Sequence, residues 1–335
     1  MLEDMRKQGI PTSSFDVKFA RLAMFMKFAA IFTPTKKLRH TIRTVPVRNL
    51  LLRHADEVGK RLPTGQAGPL GGSCRHKPNP KRIFAFWEPK DKIPSYLKLC
   101  VKTWEKNMPG YEIAQIDYSN LDEWLGEGFF DPVLYRDFGL NHQSDALRCA
   151  LLRLYGGLWL DMDTIIASKD NMALSLEISQ DFEFNSFCPA LIYAPRPNAT
   201  ILRLYEEKIR YVIDIRKNGT LPKISWGALG GTNYLPFAKY LRDKYFRFGF
   251  EGMLFSNKLE YMRHLGVKWR NDRDEFIGGY LEMKLPADYV LARSPGGYII
   301  LNNAFVPSNI RDMDEKQFLA TGCTLANVLK KVLGL

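Results

Sequence analysis

The sequence predicts an α/β domain with a largely parallel, Rossmann-like sheet flanked by helices, preceded by a basic helical extension. Between residues 81 and 310, short apolar segments typical of strands alternate with longer segments of helical periodicity. A Gly- and Pro-rich segment, residues 61–80, has the composition of a linker and separates this region from residues 1–60. The chain has 335 residues, 46% hydrophobic and 25% charged, as expected of a globular protein with a large core.

The net charge of +12 is concentrated at one end of the chain. Residues 1–82 contain 17 Lys and Arg against 5 Asp and Glu, whereas the remaining 253 residues contain 31 of each sign. A nucleic-acid enzyme more often carries its basic surface on the body of its fold, so we expect no nucleic-acid partner. A basic extension before a neutral body is better suited to an anionic membrane surface, which residues 1–60 would contact.

Within this extension, residues 12–32 have the spacing of an amphipathic helix that Ser13 or Ser14 caps and Pro34 ends. Phe25 and Phe28 are predicted to widen an apolar face that consists of Phe15, Phe19, Leu22, Met26 and Ala30. Two interpretations remain open. The helix either packs on the rest of the chain or lies in a membrane interface, with its Lys and Arg residues at the level of the headgroups.

The sequence predicts neither a membrane-spanning helix nor a signal peptide. The longest apolar run, residues 22–32, has 11 residues and contains Lys27, whereas a span needs about 20. Asp16, Lys18 and Arg21 precede that run, which is atypical of a signal peptide. The five cysteines form no C-x-x-C motif, which favours free thiols in a reducing compartment. We therefore expect a cytoplasmic protein, peripheral at the inner face of the membrane.

The elements of the α/β region follow from local patterns. Short apolar or alternating segments predict strands, and longer periodic segments predict helices. The predicted strands are 81–89, 111–117, 158–160, 190–195 and 297–302, and the predicted helices are 94–107, the segment that ends at Gly156, 197–216 and 232–243. Residues 311–335 form a predicted helical tail, whose apolar stripe consists of Leu325, Val328, Leu329 and Val332.

The sequence contains three D-x-D pairs, which act as controls for one another. Asp272 with Asp274, and Asp312 with Asp314, lie in charged stretches that no apolar strand precedes. Carboxylates in such stretches are usually solvated or cap a helix. We therefore interpret these two pairs as loop or helix-cap residues.

The third pair, Asp161 and Asp163, directly follows the apolar strand predicted at 158–160. Residues i and i+2 of an extended chain project to the same side, so both carboxylates point together while Met162 turns away. In open α/β sheets, ligands bind beyond the carboxyl ends of the strands. Two adjacent carboxylates repel each other, and a bound Mg²⁺ or Mn²⁺ relieves that repulsion. The pair is therefore a candidate metal site.

Other polar residues are predicted near this site. Asn302 and Asn303 follow a predicted strand and would be either further oxygen ligands of the metal or a polar strand end. Asp145 and Arg148 are i, i+3 neighbours near the start of the helix that ends at Gly156. Taken alone, their spacing is consistent with a simple surface ion pair.

Residues 142–164, HQSDALRCALLRLYGGLWLDMDT, resemble the sugar-binding D-x-D region of glycosyltransferase family 32. That family includes bacterial capsular-polysaccharide sugar transferases and initiating mannosyltransferases. The matching positions are Ser144, Asp145, Arg148, Tyr155, Gly156, Gly157, Trp159, Asp161 and Asp163. The resemblance extends over roughly residues 80–305, through PNPKRIFAFWEP and TWEKNMPGYEI. There are two departures: Phe84 replaces a frequent His, and ALGGTNYL lacks a frequent Pro.

The resemblance implies a GT-A-type fold for residues 81–310. It also implies transfer of a hexose from a nucleotide diphosphate sugar to a polysaccharide or lipid-linked acceptor, with retention of configuration. Trp87 would stack on the base, while Asp145, Arg148 and Asp161 would bind the nucleotide sugar. Asp163, with Asp161, would hold Mn²⁺ or Mg²⁺. The catalytic residues would then be Asp163 and Arg148, which stabilise the leaving diphosphate.

Two other classes of function remain open from the residues alone. A phosphohydrolase would use the same carboxylates and the same metal. A non-catalytic basic protein would bind a membrane or nucleic acid through its extension, although an intact set of Asp145, Arg148, Asp161 and Asp163 argues against it. No residue is identified as a nucleophile.

Overall fold

The structure, a computed structural model, describes residues 14–34, 76–126, 139–180, 184–188, 190–199, 246–248 and 269–335 except 293 and 295, together with residues 38, 42, 46, 202 and 267. The chain forms two compact units, residues 1–65 with 235–244 and residues 66–234 with 245–335. The helices predicted at 197–216 and 232–243 fall almost entirely outside the described residues, as does most of the predicted linker at 61–80. The predicted domain boundaries stay predictions.

In the smaller unit, helix α1 spans Ser14–Ile31, close to the predicted range. The N–H and Oγ1 of Thr33 both donate to the carbonyl of Ala30, which satisfies a carbonyl at the end of the helix just before Pro34. Among the helices of the described part of the chain, none combines the length and apolar character that a membrane span requires.

The apolar residues of α1 lie on two sides of the helix. Ala30 is 3% exposed, whereas Phe25 and Phe28 are 65% and 61% exposed. The prediction that the two phenylalanines widen the Ala30 face is therefore wrong. At 100° per residue they lie on the side of the helix away from Ala30. The side chains of Phe15 and Phe19 are outside the described residues.

The described residues of the larger unit form a mixed six-stranded sheet and a separate two-stranded sheet. The strands are β1 Arg82–Phe86, β2 Glu112–Ile116, β3 Gly157–Leu160, β4 Thr164–Ile166, β5 Phe184–Cys188, β6 Leu191–Ala194, β7 Phe246–Phe248 and β8 Tyr298–Ile300. The order in the main sheet is β2-β1-β3-β6-β5-β7, and β4 pairs with β8.

Three of the five pairings in the main sheet are parallel, so the predicted α/β class with a mostly parallel sheet is confirmed. β1 is parallel to both β2 and β3, and β5 is parallel to β7. β6 is antiparallel to β3 and to β5. The connection from β5 to β6 has two residues, which is long enough for a hairpin but too short for the crossover that parallel strands need.

Helices cover this sheet and continue to the end of the chain. They are α2 Ser95–Asn107, α3 Leu121–Leu125, α4 Leu140–Tyr155, α5 Lys169–Ile178, α6 Asp272–Phe276, α7 Ala287–Leu291, α8 Ser308–Arg311, α9 Glu315–Ala320 and α10 Thr324–Leu333. A π-helical segment, Ile277–Glu282, follows α6. The predicted helices at 94–107 and in the tail are confirmed.

The helical tail belongs to the same hydrophobic core as the strands. Its predicted stripe is buried: Leu325, Val328 and Leu329 are fully buried, and Val332 is 7% exposed. These side chains join one cluster with residues of α2, β1, β3 and β4. Burial of this stripe is a major source of stability for the tail, because an isolated ten-residue helix is marginal in water.

Side chains of α2 hold β4 in place. Trp104 Nε1 donates to the carbonyl of Thr164 over 2.6 Å, and Asn107 Nδ2 donates to that of Ile166 over 2.7 Å. The N–H of Ile166 donates to Oγ1 of Thr103 over 3.0 Å. Since β4 directly follows Asp161 and Asp163, these bonds fix the chain on the C-terminal side of that pair.

Candidate functional site

The turn that leads into the site depends on two glycines. Gly156 and Gly157 have φ of 66° and 96°, a region that other residues rarely adopt. A Cβ on Gly157 would lie 2.6 Å from the carbonyl oxygen of Arg82 on β1. The turn therefore reverses the chain from α4 into β3 with its backbone pressed against the neighbouring strand.

β3 ends directly before the D-x-D pair, as predicted. The N–H of Asp161 donates to the carbonyl of Ala190 over 2.8 Å, and the N–H of Thr164 donates to that of Asp161 over 2.9 Å. The pair therefore lies in a tight turn between β3 and β4, not on an extended continuation of β3. Both carboxylates line one pocket, while Met162 between them belongs to the hydrophobic core.

Asp163 is held from two directions by the segment that follows β8. Its Oδ2 accepts a hydrogen bond from the N–H of Asn303 over 2.8 Å, and its carbonyl accepts one from the N–H of Leu301 over 3.0 Å. Burial and the adjacent charge of Asp161 raise the pKa of Asp163 to about 7, against the opposing effect of the Asn303 bond. A cation beside Asp163 would stabilise the ionised form of its carboxylate.

Arg148 connects α4 to the first carboxylate of the pair. Its Nη2 lies 3.0 Å from Oδ1 of Asp145 and 3.5 Å from Oδ1 of Asp161. Its guanidinium lies over the ring of Trp159 at 5.3 Å, and Trp159 Nε1 donates to Oδ1 of Asp161 over 2.7 Å. Asp161 is thus oriented by Arg148 and Trp159 together.

The Asp145–Arg148 pair is present, but it does not lie on the surface as predicted. α4 begins at Leu140, and the two side chains are only 13% and 7% exposed. Burial raises the pKa of Asp145 above its ordinary value, although the Arg148 guanidinium opposes this shift. The pair is therefore a buried support for Asp161.

The two carboxylates open into a pocket of about 450 Å³. Among the residues predicted for the site, Trp87, Asp161, Asp163, Asn302 and Asn303 line it directly. Asp145 and Arg148 lie behind Asp161 and do not line it. Its other lining residues are Phe86, Glu88, Leu140, Asn141, Ser144, Met162, Ala304 and Arg311.

Asn302 and Asn303 differ in what they offer to a ligand. Asn303 is engaged: Tyr96 O–H donates to its Oδ1, and Arg311 Nη2 donates to its carbonyl. The side-chain amide of Asn302 has no hydrogen-bond partner among the residues that the structure describes. Of the two predicted oxygen ligands, Asn302 is the one available to a bound group.

Of the other two D-x-D pairs, predicted to be loop or helix-cap residues, Asp314 caps a helix, and the side chain of Asp272 is outside the described residues. Asp314 accepts from the N–H of Gln317 over 2.7 Å and forms a capping box at the start of α9. Asp274 accepts from Asn271 Nδ2 over 3.1 Å, in the first turn of α6. Asp312 is exposed at the end of α8. Asp161 and Asp163 line one pocket, and Asp312 and Asp314 line a second, more open one, but only the first pair directly follows a strand of the main sheet.

A metal at this pocket would rely on few protein ligands. Within the described residues, no group of three or more His, Cys, Asp or Glu side chains is placed to hold a metal ion. The oxygen donors of Asp161, Asp163 and Asn302 fit a hard cation such as Mg²⁺ or Mn²⁺, which commonly keeps water and takes further oxygens from a substrate phosphate. They do not fit zinc, which prefers nitrogen and sulfur.

Residues 72–188 match the family model described as "Capsular polysaccharide synthesis protein", which covers about a third of the chain. The match includes Trp87, Asp145, Arg148, Asp161 and Asp163, and it ends before Asn302 and Arg311. It supports a relation of this chain to capsule synthesis. Searches of curated proteins and of solved structures gave no match.

Proposed function

We propose that this chain is a metal-dependent glycosyltransferase of capsular polysaccharide synthesis. It transfers a hexose from a nucleotide diphosphate sugar to a polysaccharide or lipid-linked acceptor, with retention of configuration, on a fold of the GT-A type. The observation that carries the proposal is that Asp161 and Asp163 line one pocket, in the turn that follows β3 of the main sheet, with Trp87 on the pocket wall. The match of residues 72–188 to a capsule-synthesis family supports it.

In this proposal Asp161, Asp163 and Asn302 hold Mg²⁺ or Mn²⁺. When bound, the metal supplies positive charge to the diphosphate leaving group. Neighbouring groups of the protein orient the two carboxylates that would bind the metal. Arg148 and Trp159 orient Asp161, and the N–H of Asn303 orients Asp163. Such contacts reduce the freedom of the carboxylates before the substrate binds.

The remaining predicted residues receive distinct roles. Trp87 is half-buried and lines the pocket, so its ring offers a surface on which a nucleotide base can stack. Arg148 does not line the pocket, so we assign it to positioning Asp161 and not to direct contact with the donor. Asp145 in turn neutralises Arg148.

The test is sugar transfer from a panel of nucleotide diphosphate sugars in the presence of Mn²⁺. Asp163→Ala should abolish transfer, and a chelator should abolish it in the wild-type protein. Asp274→Ala, which removes a carboxylate of a D-x-D pair that does not line this pocket, is the matched control and should keep full activity. Full transfer by Asp163→Ala, or full activity in chelator, would sink the assignment.

The same experiment separates the alternative hydrolase. Incubation of each nucleotide sugar without acceptor should release free sugar slowly, because water replaces the acceptor. Rapid release of inorganic phosphate would instead identify a metal-dependent phosphohydrolase that uses the same carboxylates.

A further inference from the structure

Arg311 is a fixed arginine that lines the pocket of Asp161 and Asp163. Its Nε donates to the carbonyl of Val306 over 2.9 Å, and its Nη2 donates to that of Asn303. Nη1 has no hydrogen-bond or ion-pair partner in the described part of the chain. Two backbone bonds thus hold the guanidinium in one orientation while part of its donor set remains open.

The charges around the pocket leave Arg311 without a neutralising partner. Its charged lining residues are Glu88, Asp161, Asp163 and Arg311, so Arg311 is the sole basic residue among the described residues that line it. None of the three acids lies within 4 Å of the guanidinium in an ion pair. An arginine at a pocket, bonded only to carbonyls, is suited to an incoming anion.

We infer that Arg311 binds the diphosphate of the donor, an inference that rests on the proposed function. Asp161 and Asp163 would hold a metal that supplies positive charge to the phosphates, and Arg311 would donate hydrogen bonds to the phosphate oxygens. An arginine donates to phosphate oxygens through a planar fork. Because the backbone already holds this fork, little side-chain freedom is lost when the anion binds.

Trp87 and Arg311 also line a second pocket together, and its other charged lining residues are Lys92, Asp312 and Asp314. The residue assigned to the base and the residue assigned to the diphosphate therefore line the same two pockets. This arrangement is what a nucleoside diphosphate requires, since its base and its phosphates are separated by a single ribose.

The test is the affinity of nucleoside diphosphates and monophosphates for the whole protein with Mg²⁺, measured by calorimetry. The probes are the di- and monophosphates of uridine, guanosine, adenosine and cytidine. Arg311→Gln should weaken the best diphosphate about tenfold or more, the effect of one hydrogen bond to a charged group, and should affect the monophosphate less. Arg196→Gln is the matched control, because Arg196 is exposed beyond Ala194, which pairs with Gly157 at the opposite end of β3 from Asp161.

Arg311 also holds two carbonyls, so folding is checked separately. Arg311→Lys keeps the positive charge, and it should retain more diphosphate affinity than Arg311→Gln even where both variants lose the same thermal stability. Equal affinity of the wild-type protein and Arg311→Gln for the diphosphate would overturn this inference alone. A wild-type protein that binds no nucleoside diphosphate would overturn it together with the proposed function.

Helix α1 of the smaller unit provides an independent observation, because a group of large apolar residues near its C-terminal end is exposed among the residues that the structure describes. The exposed apolar residues are Met24, Phe25, Phe28, Ile31 and Phe32. Each is 59–85% exposed, and the spacing of the five places them on one side of the helix. Five such residues in nine positions form a contiguous patch, which is uncommon on a surface that faces only water. Arg21 is exposed on the same side.

We propose that this face inserts into the interface of an anionic membrane. The charge of this part of the chain favours that occupant, because the net charge of +12 arises from residues 1–82 and basic residues are attracted to an anionic lipid surface. Phenylalanines of an interfacial helix bury their rings at the boundary of headgroups and acyl chains. Apolar burial and charge attraction then act on the same segment.

Co-sedimentation of the full chain with phosphatidylglycerol–phosphatidylcholine vesicles tests this proposal. Phe25→Ser with Phe28→Ser should lower vesicle binding at least about tenfold, because two rings no longer bury in the interface. Leu174→Ser is the matched control, since Leu174 is 56% exposed on α5, and it should bind as the wild type does. Pure phosphatidylcholine vesicles should bind weakly.

Two outcomes would overturn the membrane proposal. One is equal binding of the double variant and the wild-type protein to anionic vesicles. The other is a wild-type protein that binds no vesicles but forms a dimer that the double variant loses, which would make this face an interface between copies of the chain.

Discussion

The backbone N–H of Asn303 donates to Oδ2 of Asp163 over 2.8 Å, although 140 positions separate the two residues. Leu301 bonds the carbonyl of the same aspartate. Because the side chain and the main chain of Asp163 are both tied to the segment after β8, that segment determines where the second carboxylate of the D-x-D pair points. The site is therefore assembled from two distant parts of the chain.

Asp163 is expected to make the stability of the metal-free protein depend on pH. Its pKa is raised to about 7 in the folded protein, whereas an unfolded chain has the ordinary carboxyl value. The folded state therefore binds the proton more tightly, and the resulting stability is present at low pH and lost as pH rises through about 7. Between about pH 5 and pH 8, the Tm of the wild-type protein should fall a few degrees more than that of Asp163→Asn, measured by calorimetry.

Added Mn²⁺ is the control for this pH effect. It should raise the Tm of the wild-type protein at about pH 8 and leave Asp163→Asn nearly unchanged, because a bound ligand stabilises only a state that binds it. Parallel pH profiles of the two metal-free proteins would contradict the prediction.

Removal of Arg148 should destabilise the protein strongly. Arg148→Met leaves Asp145 buried without its ion-pair partner, and loss of one member of a buried pair costs about 3–5 kcal/mol. The double variant Asp145→Asn with Arg148→Met should recover much of this stability, measured by urea unfolding. It should not recover sugar transfer, because Asp161 still lacks its contact with Arg148.

Recovery of both stability and transfer in the double variant would show that Arg148 serves the fold alone. No recovery of stability would show that the buried pair is not the cause of the loss.

Gly157→Ala should be far more destabilising than Gly110→Ala. Both glycines have positive φ, of 96° and 85°, so each alanine incurs backbone strain of about 1–2 kcal/mol. The Cβ at residue 157 would also lie 2.6 Å from the carbonyl of Arg82, whereas the Cβ at residue 110 meets nothing within 4 Å. Chemical denaturation should separate the variants by at least about 2 kcal/mol. An equal loss of unfolding free energy in the two variants would mean that Gly157 does not lie as close to the carbonyl of Arg82 as the structure shows.

Asn302→Ala should weaken Mn²⁺ binding by about tenfold without a large loss of stability, because it removes one oxygen ligand from the proposed site. The measurement is the free Mn²⁺ signal in electron paramagnetic resonance during titration. Asn271→Ala is the control: Asn271 caps α6, so its loss should lower the Tm and leave Mn²⁺ affinity unchanged. Unchanged affinity in Asn302→Ala would remove Asn302 from the ligand set.

The elements that the sequence predicted well are those with a strong local pattern. Three examples are the strand Arg82–Phe86, the helix Ser95–Asn107 and the tail helix Thr324–Leu333. In each, the spacing of the apolar residues allows them to be buried together in only one kind of secondary structure. The distinction between the Asp161–Asp163 pair and the two other D-x-D pairs was also local, because an apolar strand directly precedes only Asp161. In contrast, the antiparallel β6 depends on a two-residue connection that strand patterns do not reveal.

The sequence by itself determined the fold class, the position of the charged extension and the carboxylates at the end of β3, since periodicity, net charge and the glycine turn are properties of neighbouring residues. Only the tertiary structure decided that Asn303 fixes Asp163, that Arg311 lines the same pocket and that Arg148 is buried behind Asp161. Contacts of this kind join residues far apart in the chain, and they exist only after β4 and β8 pair and the core closes around them.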